Sequence, residues 1–142
     1  MIRAYKESDL AAVMQIWLAV NIKAHGFIPR EYWTGNYPFV EKVLPQAEIY
    51  VYEEGDMNEI AGFIGLADHF IEGLFVREAA QSHGIGKRLL DYVKGTRSDV
   101  CLCVYQKNTR AVAFYRREGF KVQSENVDDS TGEKEFIMVW RE

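Results

Sequence analysis

Residues 81–93 read QSHGIGKRLLDYV, and two glycines, a histidine and two cations crowd the point where an amphipathic helix is expected to begin. The first turn of a helix exposes N–H groups that carry partial positive charge, so acidic residues usually stand there. Here Lys87 and Arg88 occupy it, and no acid comes before Asp91. Gly84 and Gly86 let the main chain turn sharply and approach a ligand with no Cβ in the way. Successive N–H groups would then converge on an anion, helped by the helix dipole. A pyrophosphate at this turn would make sense of the two cations. The competing reading is a plain glycine-rich loop whose cations are solvated.

Two familiar phosphate-binding motifs fail on residues their chemistry requires. The P-loop needs G-x-x-x-x-G-K-[ST], but Gly86-Lys87 is followed by Arg88 and position 81 is Gln. A dinucleotide fingerprint needs G-x-G-x-x-G/A with a ribose-binding acid about 20 residues on. Position 89 is Leu, and the next strand, Val100–Tyr105, ends without an acid. What remains is Q-x-x-G-x-G after a strand and opening a helix.

A second motif follows downstream: Asn108, Ala111, Phe114, Tyr115, Gly119 and Phe120 form N-x-x-A-x-x-F-Y-x-x-x-G-F. Together with Gln81-Ser82-His83-Gly84-Ile85-Gly86 it resembles the GNAT superfamily of acyl-CoA-dependent N-acetyltransferases, in strand order and length from end to end. Through FIPREYW, VYQKN and FYRREGF the chain is most similar to small bacterial members that acetylate lysines or N-termini. The chief departure is Gln81, where arginine is commoner; a neutral side chain weakens phosphate contact and leaves the backbone cradle intact.

The resemblance implies acetyl-CoA as co-substrate, lying in an opening between two splayed parallel strands, 70–76 and 100–105. Main-chain groups of Leu74, Phe75 and Val76 would pair with the pantetheine arm, and the backbone of Gln81, Ser82, His83, Gly84, Ile85, Gly86 and Lys87 would hold the pyrophosphate. Asn108 would reach the pantetheine, cap the following helix, or do both. Tyr115 is implied as the acid that protonates the leaving thiolate, since a phenol with a pKa of about 10 stays protonated at neutral pH. The alternative for Tyr115 is a half-buried ring packed on the sheet. A lysine ammonium, with a pKa of about 10.4, must first lose a proton; Glu72 is the first candidate to take it and His69 the second, either of which could instead be a solvent-facing strand residue. The N–H of Leu74 or Phe75 would stabilise the oxyanion. His25, Phe27, Tyr32 and Trp33 would wall the acceptor site, although aromatics there are as often core. The acidic stretch ENVDDSTGEKE could attract a cationic amine or simply be solvated.

The elements that must position these residues can be read from periodicity. IRAY is a short strand, and ESDLAAVMQIWLAV is a helix with Leu10, Val13, Ile16, Trp17 and Val20 on one face and Ser8 as its cap. REYWTGNYPFVEKVL is a weaker helix, interrupted by Gly35 and Pro38. Residues 47–68 form two strands around a turn at Gly55 to Asn58, 69–76 a third, 81–95 a helix with Ile85, Leu89, Tyr92 and Val93 on one stripe. DVCLCVYQ, almost continuously apolar, is expected to be covered on both faces. A helix capped by Asn108 and ended by Gly119 precedes a final hairpin around VDDSTG. The order β-α-α-β-β-β-α-β-α-β-β implies an α/β (α+β) fold with a mixed sheet and helices on its faces; the resemblance implies that this sheet is mostly antiparallel, with one splayed parallel pair and helices on both faces.

Bulk properties bound the rest. A length of 142 residues suits one domain, 1–142, around one core. Hydrophobic residues at 48% and charged ones at 27% exclude disorder. No apolar run approaches the roughly 18 residues that span a bilayer, and MIRAYKESDL turns charged too early for a secretory signal, so a cytoplasmic protein without a membrane role is expected. A net charge of −4 argues against non-specific nucleic-acid binding. Cys101 and Cys103, two apart on a strand, point to one face as small core residues, cannot pair with each other, and are too few for a zinc site. Three scattered histidines offer no ligand spacing, so no metal is expected.

The expected activity is acetyl transfer from acetyl-CoA to a primary amine by direct attack, on a protein lysine or N-terminus first, a small amine second. The protein would act as a monomer or homodimer. A non-catalytic acyl-CoA-binding domain and an unrelated nucleotide-binding fold are the rivals.

Overall fold

The computed structural model describes residues 1–142. Its elements are β1 (Ile2–Ala4), α1 (Leu10–Ala24), α2 (Arg30–Val43), β2 (Glu48–Glu54), β3 (Glu59–Ala67), β4 (Phe70–Val76), α3 (Ile85–Lys94), β5 (Asp99–Tyr105), α4 (Thr109–Arg117), β6 (Lys121–Val127) and β7 (Lys134–Arg141). The order is the one expected. All strands join one seven-stranded sheet, β1-β2-β3-β4-β5-β7-β6, antiparallel throughout except for the parallel β4–β5 pair. No helix is long and apolar enough to cross a membrane.

Two clusters of apolar side chains lie on opposite faces of the sheet. On one, α3 and α4 bury Leu89, Leu90, Val93 and Tyr115 against Ile64, Leu66, Ile71, Val100, Leu102, Val104 and Met138. On the other, Val13 and Ile16 of α1 cover Ile49, Val51 and Phe63, and α2 leans on α1 through the Trp17–Trp33 and Trp17–Tyr37 ring contacts.

Three local expectations are corrected. Ser8 does not cap α1; Asp9 stands at the N-cap, its carboxylate accepting from the Lys6 N–H at 2.7 Å and paired with both terminal nitrogens of Arg3 at 2.8 and 2.9 Å. The Asp9 side chain makes no capping bond to α1 either; the bidentate ion pair engages it instead and holds its carboxyl below the usual range. Gly35 and Pro38 do not interrupt α2, which runs unbroken; both lie on its exposed side, where water can solvate the carbonyl left without a proline N–H. Cys101 and Cys103 are not core residues. Val100, Leu102 and Val104 point into the α3/α4 cluster, while Cys101 is half-buried and Cys103 exposed. Packing of α1 stops at β4, so the second face of β5 is uncovered around Cys101 and Cys103.

The feature that makes room for a ligand is in β4. Gly65 pairs with Gly73 and Leu66 with Ile71, leaving Glu72 as an extra, bulged residue. Against β5 only Phe70–Cys101 and Ile71–Leu102 are in register. Beyond the bulge the two strands part.

Candidate active site

The gap between β4 and β5 widens toward the ends that lead into α3 and α4. Main-chain groups alternate sides along an antiparallel ladder. Arg77 N–H donates to Ala61 of β3 at 2.7 Å, so Phe75, two residues earlier and opposite Phe63, also turns its main chain toward β3. Leu74 and Val76 therefore face the gap. Phe75 drops from the expected main-chain partners, since its N–H and carbonyl belong to the sheet. Its side chain packs at 5.1 Å on Phe63 and lies across Gly73, where a Cβ would collide with the ring.

At the mouth of this gap lies the glycine turn. Ser82 and Gly84 both adopt positive φ, 67° and 81°, curling the chain before α3. No backbone N–H from Ser82 to Lys87 donates to another protein group, and no side chain caps the helix. Ile85 is buried in the core while its N–H has no protein acceptor. Six consecutive donors are thus free at one helix start. By contrast α4 is capped: Asn108 Oδ1 accepts from Ala111 N at 3.2 Å.

The side chains around the turn are arranged differently from the sequence expectation. Lys87 pairs with Glu118 at 3.0 Å and Asp91 at 3.3 Å, and Arg88 donates to the Tyr52 hydroxyl at 2.7 Å. Lys87 is therefore compensated from within the protein, whereas Arg88 meets only a neutral hydroxyl and keeps its charge beside the free main-chain amides. Gln81 points inward as a brace, its Nε2 donating to Val76 O at 2.9 Å and its Oε1 accepting from Arg110 at 3.0 Å. Arg110, which the sequence reading overlooked, also donates to Ser82 Oγ at 3.2 Å. A guanidinium is thus held at the turn from α4, where Gln81 itself carries no charge. Its spacing two residues after Asn108, on the outer side of the first helical turn, was the available signal. His83 is exposed.

Tyr115 lies seven residues after Asn108, on the same side of α4. Its ring is held between Phe114 (5.2 Å) and Phe120 (5.4 Å). The hydroxyl makes no hydrogen bond within the protein, and burial alone pushes its pKa above the ordinary value. It is a protonated donor with its proton unspent.

The two proton-acceptor candidates separate. Glu72 is exposed on the bulge where β4 leaves β5, with no ion-pair partner. His69 sits beyond the closed end of the gap, its Nδ1 3.2 Å from both the carbonyl and a carboxylate oxygen of Asp99. Asp99 and Tyr105 are opposite ends of β5, roughly 20 Å apart at strand rise, so His69 does not join the other candidates. It is pinned there because Cys101 N–H bonds to the His69 carbonyl, which locks this corner of the sheet.

The aromatic residues form one cluster. Trp33 is buried beneath His25, stacked at 5.3 Å with 27° between planes, and is core rather than an open wall. Tyr32 meets the Trp33 edge at 4.9 Å. Phe27 and His25 meet Tyr105 at 5.7 and 5.1 Å. The acidic hairpin is partly spent on this cluster: Asp128 accepts from the Tyr105 hydroxyl, and Glu133 pairs at 3.0 Å with Lys107. A separate cleft of about 340 Å³ near Arg3, Asp9, Glu59 and Arg77 lies away from the gap, and its Arg3 and Asp9 charges neutralise each other.

Residues 45–122 match the family model of the acetyltransferase (GNAT) domain. The chain belongs to the GNAT family. Peptidyl-lysine N-acetyltransferase YiaC of Escherichia coli K12 is 34% identical over 142 residues, covering 99% of this chain and 96% of that protein. Among solved structures, apo-form YjaB from Escherichia coli superposes with a TM-score of 0.88 at 25% identity, covering 99% of this GNAT chain and 96% of YjaB. The PaiA N-acetyltransferase from Thermoplasma acidophilum in complex with coenzyme A shares the fold, with a TM-score of 0.80 at 20% identity over 100% of this chain and 98% of the other. As a GNAT acetyltransferase the protein transfers acetyl from acetyl-CoA to an amine.

Proposed function

We propose that residues 1–142 form one acyl-CoA N-acyltransferase domain whose acceptor is a lysine side chain of a protein, held and acetylated in the β4–β5 gap. The observation that carries the binding half is the run of six unpaired N–H groups from Ser82 to Lys87 beside a splayed strand pair. Backbone donors at a helix start suit a diphosphate, and Arg110 adds a guanidinium to the same turn. Leu74 C=O and Val76 N–H extend the grip to the pantetheine arm as an added strand would, the Val76 carbonyl being already taken by Gln81. Asn108 completes it.

Bound acetyl-CoA supplies an acetyl group activated as a thioester. Leu74 N–H donates to its carbonyl oxygen as negative charge develops there. Glu72 removes a proton from the incoming ammonium, directly or through a water, and frees the nitrogen lone pair. Tyr115 gives its phenolic proton to the sulfur as the C–N bond forms and the C–S bond breaks with its electron pair on sulfur. The nitrogen gives up its second proton to water as the amide forms, the phenolate is reprotonated from solvent, and Glu72 releases the proton it took.

Direct transfer is supported by the state of the Cys103 thiol. Partial desolvation of the largely exposed thiol, with the Glu135 carboxylate adding to it, pushes the Cys103 pKa up to about 11, so the thiolate that a covalent route needs is scarce at neutral pH. Cys103→Ser is expected to leave turnover unchanged, with no acetylated thiol seen by mass spectrometry during turnover; an acetyl-Cys103 species would reverse this reading. Glu72→Gln is expected to lower kcat by about 10²-fold, in the range of a lost general base. A profile of kcat against pH that keeps its shape and height in the variant would remove Glu72 from the role.

A peptide acceptor is supported by the uncovered face of β5 and β7, where Cys101, Cys103, Ile137 and Val139 remain partly exposed, and by the similarity to peptidyl-lysine N-acetyltransferases. The rival of pure CoA binding is weakened by Tyr115, whose unspent proton a binding domain does not require. Thermal-shift screening with CoA, ATP and NAD tests the cofactor, because a ligand raises Tm by mass action. A thiol-release assay with lysine peptides, N-terminal peptides and polyamines then tests the acceptor. Stabilisation by CoA with turnover only on small amines would overturn the lysine reading and keep the enzyme.

A further inference from the structure

We infer that His25 is a positioning residue: through its Nε2 it orients the Asn108 amide, so that the loop after α1 sets the geometry of the α4 start on the cofactor side. This rests on the acetyl-CoA site proposed above. The orientation of Asn108 follows from its bonds. Oδ1 accepts from Ala111 N at 3.2 Å, which turns Nδ2 toward His25 Nε2 at 3.3 Å. An amide nitrogen only donates, so His25 Nε2 must present a lone pair and Nδ1 must carry the ring proton.

Two anchors then fix the Asn108 side chain, one within α4 and one from the other end of the chain. Each anchor uses one of its capacities. One Oδ1 lone pair and one Nδ2 hydrogen remain, a donor–acceptor pair complementary to a peptide-like amide. The pantetheine arm contains such amides.

The imidazole is held firmly enough to act as an anchor. It stacks on buried Trp33 and meets the edges of Phe27 and Tyr105, while Trp33 is itself wedged against Trp17 of α1. Nδ1 is buried with no hydrogen-bond partner. Burial lowers the imidazole pKa, the Asn21 carbonyl opposing it in part, so the ring is neutral at pH 7. The charged groups around the cluster are matched: Lys107, over the Phe27 ring, pairs with Glu133, and Asp128 takes the Tyr105 hydroxyl. Neither the glycine turn nor the Tyr115 chemistry uses His25, and as a mere core ring it could be phenylalanine.

The test compares His25→Phe, which keeps the aromatic stack and removes the lone pair, with His25→Gln, whose side-chain oxygen can replace Nε2. Asn108→Ser, which keeps an N-cap oxygen and removes the amide donor, completes a double-mutant cycle. In H25F the KM for acetyl-CoA and the Kd for CoA are expected to rise about tenfold, as for one lost hydrogen bond, with the KM for the acceptor unchanged. H25Q restores most of the loss, and H25F adds nothing further in the N108S background. Equal losses in H25F and H25Q, or additive losses with N108S, would overturn the assignment. An arm independent of any ligand separates this inference from the site reading beneath it. Nitrogen-15 NMR of the CoA-free protein should show the ring proton on Nδ1, and a proton found on Nε2 at pH 7 sinks the inference even if CoA binds. Absence of CoA binding in the wild type, with the Nδ1 proton present, overturns the positioning role along with the site and leaves only the His25–Asn108 contact.

Discussion

Replacing Tyr115 with phenylalanine is expected to lower kcat by about two to three orders of magnitude, within the span of a lost general acid, and to leave CoA affinity nearly unchanged. The substitution removes one oxygen from a ring whose packing between Phe114 and Phe120 does not depend on it. Because the hydroxyl has no partner in the protein, its loss strands no buried donor or acceptor, and the fold should keep its Tm. The sign of the pH dependence is defined. Burial holds the phenol above its ordinary pKa of about 10, so the acid stays protonated through the neutral range and any alkaline fall in kcat from its ionisation comes only above that value. Steady-state kinetics with CoA titration by calorimetry measures both quantities. Equal kcat in a folded variant would take the acid role away from Tyr115.

The second large effect is expected at Gly84. Its φ of 81° lies in the left-handed region at the start of α3, and nothing lies within 4 Å of where a Cβ would sit. Gly84→Val therefore meets no steric neighbour; its penalty is the backbone itself, about 1–2 kcal/mol for an L-residue held left-handed. The chain escapes that penalty by rotating the turn, which swings the N–H groups away from their common focus. CoA affinity should fall about 10- to 100-fold, the equivalent of one charge-assisted hydrogen bond. Gly86 gives the contrast. A Cβ there meets Phe114 and Val76 at ordinary contact distances of 3.6 and 3.7 Å, so Gly86→Ala is the mild variant. If G84V binds CoA like the wild type, the amide cradle is not where the diphosphate rests.

Local requirements were the legible part of this protein. A glycine turn between a strand and a helix is a demand on a few adjacent residues, and Gly84 meets it at the expected position. Helix and strand periods are likewise local, which is why the order of all elements could be read and why Asn108 was recognisable as a cap. Several of the misread features depend on partners remote in the chain. Lys87 looked uncompensated because Glu118 lies 31 residues away, although Asp91, one helical turn on, was a local signal, and the bond from Arg88 to Tyr52 spans 36 residues. The cysteines were placed inside because an apolar strand does not reveal that α1 stops short of β5. Glu72 and His69 looked alike as acidic and basic residues on one strand; only the bulge and the short parallel register separate them. Arg110 and the His25–Asn108 contact, the latter spanning 83 residues, required the fold.

The two-rung junction between β4 and β5 has a mechanical meaning. It divides the sheet into a leaf of four strands and a leaf of three, each fully laced by antiparallel bonds and joined to the other by one short stitch and by the side chains beneath α3. Leu74 and Val76 thus form an unzipped border inside the sheet rather than at its rim. A molecule laid along that border becomes a missing rung of the scaffold itself, so the protein's rigidity and its loading with substrate are a single property.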